Sequence, residues 1–420
     1  MLGVVSGTFG ELNIDSAGKP GAVFIVSAAD SATALTVGSA GSGAFNQFAG
    51  SATLKSFNSA TPALVVGATS NGSGFVGISG GTFAVVAGSP GGTAGPVIVG
   101  DSGSGSYEQV GGKVTFGGRL IVGNGSSGSG SFSLAGNGST TLTVSGSVTV
   151  GALKGAVGSV SYDEQNASAK FILGSDSILT VGDAGSGTFV QGGGSVTALG
   201  LDIGHQSSGT GAVNLSGGTF SVSRGDAVIG DAGSGTFLHN GGKETANFAG
   251  GLEVGGESGG TGIYLLSAGK LIVGSGSGGG TIIGNGAGSG AFIQTDGTGV
   301  FSGGLTVASL FAGAGSFTLS GGTDTISGDT VIADAGVGAY RQSGARRRLP
   351  ASSRLPTTSL PAAHLRSTAA APSSGARSTS GLARRRAANS ISTSAVAAPR
   401  LRARTRTVRI SRSAWAARAY

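Results

Sequence analysis

Cysteine is absent from the 420 residues, which excludes disulfides and thiolate metal sites. No uninterrupted apolar run approaches the length of about 18 residues that a membrane-spanning helix requires. The N-terminus, Met1-Leu-Gly-Val-Val-Ser-Gly-Thr-Phe9, has neither a basic n-region nor an apolar h-region. It resembles repeat sequence instead, and the chain is expected to begin inside a longer array. Glycine strings such as Gly276-Ser-Gly-Gly-Gly280 are followed by no Gly-Lys-Ser/Thr, which excludes a phosphate loop.

Charge is scarce, at 11% of residues, and its distribution divides the chain near residue 345. Residues 1–344 carry 10 Lys+Arg against 19 Asp+Glu, a net of −9. Residues 345–420 carry 16 Arg, no Lys and no acid, a net of +16. The overall basicity therefore belongs to the tail, and the larger segment is mildly acidic. Of 86 glycines only Gly375 and Gly381 lie in the tail, and none of the 18 Phe does.

A Gly-x-aromatic motif recurs along the first segment. It reads Gly43-Ala-Phe45, Gly105-Ser-Tyr107, Gly130-Ser-Phe132, Gly187-Thr-Phe189, Gly235-Thr-Phe237, Gly262-Ile-Tyr264, Gly290-Ala-Phe292, Gly315-Ser-Phe317 and Gly338-Ala-Tyr340. Weaker copies at Gly21, Gly74, Gly158 and Gly211 complete thirteen anchors spaced 22 to 31 residues apart. A period near 26 means stacked units, each burying its apolar side chains against its neighbours.

Within one unit, Gly187-Thr-Phe-Val-Gln191, Ser195-Val-Thr-Ala-Leu199 and Leu201-Asp-Ile203 are short alternating runs broken at glycines. Three such strands per unit are the content of one turn of a parallel β-helix. Helix is disfavoured because glycine costs roughly 1 kcal/mol relative to alanine in a helix interior. The sequence thus predicts an all-β parallel β-helix, or β-solenoid, of about thirteen coils over 1–344. At a strand spacing of about 4.8 Å this rod would be on the order of 60 Å long.

A glycine pair follows four residues after the anchor aromatic, at Gly111-Gly112, Gly241-Gly242 and Gly321-Gly322, and Gly217-Gly218 holds the same place after Val213. Two residues after the aromatic the units alternate. One class carries Gln47, Gln109, Gln191, His239, Gln294 or Gln342, the other Leu134, Leu215, Leu266 or Leu319. The first class opens with Val99-Gly-Asp101, Val181-Gly-Asp183 or Ile229-Gly-Asp231, with Asn124 and Asn285 in similar turns. If each 26-residue unit is a full turn, successive Gln residues lie about 9.6 Å apart, too far to bond. If the 50-residue module were one turn, they would form an amide ladder. The first is favoured, because a 50-residue turn needs more than three strands to enclose its interior. Which way these Gln residues face is left open.

The candidate sites have plainer readings. His239 stands where sister coils carry Gln and reads as a polar filler of a repeat position. His205 reads as an exposed corner residue. Asp101, Asp183, Asp231 and Asp334 lack the nine-residue period of calcium-binding repeats and read as Asx-type turns. Asp163-Glu164, the only adjacent acidic pair, lies between Lys154 and Lys170 and reads as a solvated corner rather than a glycan-cleaving acid/base pair. The Thr-rich runs Thr140–Val144 and Ser147–Val150 lack the coil-to-coil register of an ice-binding face. No catalytic or metal-ligating residue and no cofactor is assigned.

The tail, with Arg346-Arg-Arg348 and Arg384-Arg-Arg386 and five of the nine prolines, shows no apolar periodicity and is expected to be disordered. G/C-rich glycine codons read out of frame give Ala and Arg, so the segment reads as frameshifted sequence and carries no functional weight.

Ile229-Gly-Asp-Ala-Gly-Ser-Gly-Thr-Phe237, Leu215-Ser-Gly-Gly-Thr-Phe220 and Leu266-Ser-Ala-Gly-Lys-Leu-Ile-Val-Gly274 resemble the passenger repeats of bacterial autotransporters and the related autotransporter-associated β-strand repeats. The resemblance covers nearly all of 1–344. It implies a right-handed β-helix displayed at the bacterial cell surface or secreted, often as an adhesin stalk. A signal peptide and a C-terminal barrel, both part of that pattern, are not seen, and a fragment is expected. The implied role is a non-enzymatic structural or adhesive rod. Its partners would be glycans, extracellular matrix or other cell surfaces, and no specific nucleic acid. The alternatives are a polysaccharide-acting enzyme, which needs acids and a cation converging on a groove, and a nucleic-acid binder acting through the tail.

Overall fold

A computed structural model describes residues 1–15, 22–27, 32–136, 140–164, 169–256, 259–276, 279–310 and 312–343, together with the strands Arg346–Arg348, Ser353–Arg354 and His364–Thr368. Every strand pairs in parallel with the third strand after it, giving three sheets of 14, 13 and 13 strands. The chain is an all-β, right-handed parallel β-helix with no helix among the described residues.

The anchors lie in the first sheet, represented by Ser42–Gln47, Ser73–Ile78 and Ser104–Gln109. Gly43, Gly74, Gly105, Gly130, Gly158, Gly187, Gly211, Gly235, Gly262, Gly290, Gly315 and Gly338 stand opposite one another from coil to coil without a slip. The first anchor differs from expectation. Gly21 lies outside the described residues, and the residue opposite Gly43 is Gly10. Pattern explains the choice: Gly10 as anchor turns Leu12 and Ile14 towards the interior and leaves Phe9 66% exposed.

The anchor must be glycine because it points inward at the corner, where backbone fills the space. A Cβ on Gly211 would press on the Val181 carbonyl and lie 2.6 Å from Ile203 Cγ2. Two residues on, the aromatics stack along the rod. Phe237 and Tyr264 have centroids 4.9 Å apart at 3°, and Tyr264–Phe292, Phe292–Phe317 and Phe317–Tyr340 continue the column. Coils with valine there, at Val76, Val160 and Val213, carry Phe83, Phe171 and Phe220 on the facing strand of the second sheet. Each of these coils thus delivers at least one large ring to the lumen, and some deliver two, as Tyr107 with Phe116 and Phe237 with Phe248 do.

The corner from the third sheet to the first requires a left-handed residue. Gly151, Gly182, Gly204 and Gly230 have φ of 70–72° there, but Ala308 (60°) and Ala333 (56°) occupy the same place in the last coils. Alanine in this conformation is strained by about 1–2 kcal/mol, whereas glycine costs about 0.4–1 kcal/mol through the unfolded chain. Ala308→Gly with Ala333→Gly is therefore expected to raise the urea midpoint. A lower midpoint would show that the two buried methyl groups contribute more packing than their strain costs.

Successive 26-residue units pair directly, so each is one full turn and Gln47 and Gln109 are separated by Ile78. The tail differs in part from expectation. Arg346–Arg348, Ser353–Arg354 and His364–Thr368 add one parallel strand to each sheet. An open sheet edge offers unpaired N–H and C=O groups to whatever chain follows, with little regard for side chains. The rest of 345–420 lies outside the described residues.

Candidate functional site

Gln47, Gln109, Gln191 and Gln294 face inward and are fully buried; Gln342 is partly exposed. Their Nε2 atoms donate to the turn joining the first and second sheets. Gln47 bonds Gly50 O at 3.3 Å and, one coil on, Thr82 O at 3.0 Å. Gln109 bonds Gly112 O (3.2 Å), Gln191 bonds Gly193 O (3.0 Å) and Thr219 O (3.1 Å), and Gln294 bonds Gly297 O (3.3 Å). These side chains staple a turn and present nothing to a ligand.

His239 occupies the glutamine position, but its turn is two residues longer. Glu244, aligned by Thr219↔Thr245 with the turn glycine Gly218, is buried beside it. His239 Nε2 lies 3.3 Å from Glu244 Oε1, Nδ1 lies 2.9 Å from the Tyr264 hydroxyl of the next coil, and Lys243 N donates to Glu244 Oε2 at 2.9 Å. A Cβ on Gly269 would strike the carboxylate and come within 2.8 Å of Nε2, so that glycine keeps space for the pair. Burial lowers the His239 pKa to about 4 and raises that of Glu244; burial, then the Glu244 charge, raises Tyr264 well above its usual value. Burial keeps the imidazole neutral; Nδ1 shares a hydrogen bond with the Tyr264 hydroxyl, while Nε2 and Glu244 Oε1 face each other without hydrogen-bond alignment. Both His239 and Glu244 side chains are sealed from solvent. The polar filler expected here is in fact the centre of a three-residue network.

On the outside, the residues after the corner glycine form a column. Asp101, Asn124, Asp183, His205, Asn285 and Asp334 each donate their backbone N–H to a corner carbonyl one coil earlier. At Asp101, Asp183 and Asp231 the expected Asx turns are not formed: Gly103 N, Gly185 N and Gly233 N donate to Gly67 O, Gly151 O and Gly204 O. Coil-to-coil backbone bonds already satisfy those groups. Asp101 Oδ1 instead accepts from Asn124 Nδ2 at 2.7 Å, and Asp183 Oδ1 from Gln206 Nε2 at 2.9 Å.

His205 is at a corner as expected, with 44% of its side chain exposed, but it stands in this column just below Asp231 and three residues beyond Asp202. Its Nδ1 is 2.7 Å from Asp202 Oδ2 and 3.3 Å from Asp231 Oδ2. Burial, with further repulsion from Asp231 and Asp183, raises the Asp202 pKa to about 6 against the attraction of His205. Ile203-Gly204-His205 repeats the pattern of Ile229-Gly230-Asp231, the signal that could have placed His205 in the column.

No family model, curated protein or solved structure matches the chain.

Two grooves open on the outer surface. One of about 840 Å³ runs past Ser59, Thr93, Thr115, Arg119 and Ser145, with no Asp or Glu among its described lining residues. The other, of about 260 Å³, lies between Phe48, Phe75, Ile78 and Val110, with Asn46 and Glu108 at its rim. Asp163 is exposed at the end of its strand and makes no ion pair among the described residues. Thr143 stacks on Thr115 and then Ile172, so the threonine run does not continue.

Proposed function

We propose that the chain is a non-enzymatic structural and adhesive rod displayed outside the cell, of the autotransporter-passenger type. The observation that carries this reading is the division of labour between faces. The lumen is filled coil after coil mainly by apolar side chains, with the His239, Glu244 and Tyr264 side chains sealed inside. Outward positions repeat small polar groups, as at Ser106, Ser131, Ser159, Thr188, Thr236 and Ser316 in the first sheet. Such a surface suits many weak contacts with glycans, matrix or other cells, since hydroxyls adapt to many hydrogen-bonding partners. A polysaccharide-acting site would need two carboxyl groups facing each other across a bound sugar, and the larger groove offers Arg119 without an acid.

The full-length chain should be retained on immobilised acidic and neutral polysaccharides while releasing no new reducing ends. Release of soluble oligosaccharides would replace the adhesive reading with the enzymatic one. Protease accessibility on intact producing cells tests the location, and protection from added protease would count against surface display.

A further inference from the structure

We infer that Asp202, His205 and Asp231 form a binding site for a divalent first-row transition ion of the Zn²⁺ type, held at the outer corner of two successive coils. The His205 Nδ1 and one carboxylate oxygen from each aspartate lie within 4.8 Å of one another. Tetrahedral coordination at about 2.0–2.2 Å sets ligand atoms about 3.4 Å apart. The Asp231 oxygen already stands 3.3 Å from Nδ1, and the 2.7 Å contact with Asp202 has to lengthen.

Two observations set this corner apart from an ordinary ion pair. One ring nitrogen carries at most one proton, yet two carboxylates converge on it. Neither oxygen is aligned with Nδ1 for a hydrogen bond, and both Nδ1 and Asp202 Oδ1 are buried atoms without a hydrogen-bond partner. At two other places in the column a neutral amide donates to the carboxylate, Asn124 to Asp101 and Gln206 to Asp183. Here the donors are short and the negative charge is in excess, which a doubly charged ion corrects.

The mixed donor set selects the metal. Imidazole nitrogen with carboxylate oxygen suits zinc, copper, nickel or cobalt, whereas calcium requires six to eight oxygens. Neutral His205 moves its proton to Nε2 and offers the Nδ1 lone pair inward. The 44% exposure of the side chain leaves room for water to complete the coordination shell. Asp183, one coil earlier, keeps its Gln206 bond and adds negative potential from outside the ligand set. The site stands whether or not the rod is displayed at a surface.

The test uses tag-free full-length protein stripped with a chelator and titrated with ZnCl₂ by calorimetry at pH 7.5. One ion per chain is expected, bound at least tenfold more weakly by His205→Gln and by Asp231→Asn. Asp101→Asn and His364→Gln should keep wild-type affinity, and calcium in tenfold excess should not displace the zinc. Affinity should fall on acidification, because protons compete with the metal for its ligands. Cu²⁺ paramagnetic resonance on the wild-type and His364→Gln chains should show one coupled imidazole nitrogen, a readout that does not require the site variants to fold. No stoichiometric binding, unchanged affinity in His205→Gln, or a copper spectrum without nitrogen coupling would overturn the assignment.

Discussion

Replacing Gly211 with alanine is expected to break the rod near its middle, whereas replacing Gly242 is expected to change almost nothing. At Gly211 the added carbon would press on the Val181 carbonyl and sit 2.6 Å from Ile203 Cγ2. Both neighbours are fixed by pairing on either side, so neither can retreat. Overpacking of this kind costs about 3 kcal/mol, and more where backbone rather than a side chain is struck. A Cβ on Gly242 meets nothing within 4 Å, and its φ is not positive. An exposed change of that kind stays within about 0.5 kcal/mol.

Each coil of a solenoid is stabilised by its neighbours alone, so a weak central coil uncouples the two flanks. Gly211→Ala should therefore turn a single thermal transition into two. Limited proteolysis should also become fast near residues 205–215, at the defect. A single transition at the wild-type midpoint would show that the corner is softer than its geometry implies.

The same geometry explains how much of the fold was legible. Gly-x-aromatic reported the corner because close backbone approach excludes every side chain, and that demand recurs once per coil. Register was legible for the same reason, from Gly43 to Gly338. It failed at the first coil, where Gly7-Thr-Phe9 and Gly21 imitate the motif but only Gly10 sends Leu12 and Ile14 inward. The direction of the glutamines was not legible, since their partners are turn carbonyls that any sequence supplies. The signal for Glu244 is the Gly241-Gly242 turn, two residues longer than its glutamine counterparts, which shows only when turn lengths are aligned coil by coil. His205 was missed as a column member because a two-coil module assigns it to the other class. Only full-turn pairing brings Asp183, His205 and Asp231 onto successive coils.

Acidification should destabilise the chain through His239, and His239→Gln should remove that part of the dependence. The unfolded imidazole titrates near 6.5 and the folded one near 4, because burial disfavours its cation. Between these values the unfolded chain holds a proton that the folded chain does not. Stability therefore falls as pH drops from 6.5 towards 4, by about 2 kcal/mol between pH 7.5 and 5. Glu244 acts in the opposite sense: its raised pKa penalises the folded carboxylate at neutral pH, and protonation relieves that penalty. The comparison of His239→Gln with wild type isolates the histidine, because Glu244 is common to both. Urea midpoints at pH 7.5 and 5 should diverge in the wild type by more than in the variant; equal divergence would show that the imidazole is not held neutral.

At pH 7.5 the same network predicts a coupling. Tyr264→Phe leaves Nδ1 buried without its 2.9 Å partner, a loss of about 1–2 kcal/mol. His239→Gln alone strands the tyrosine hydroxyl to similar effect. Together they recreate the pair at Gln294 and Phe317, which the rod already accommodates. The double variant should be more stable than the sum of the single losses allows. Strict additivity would mean that the hydroxyl and the imidazole do not act as one unit.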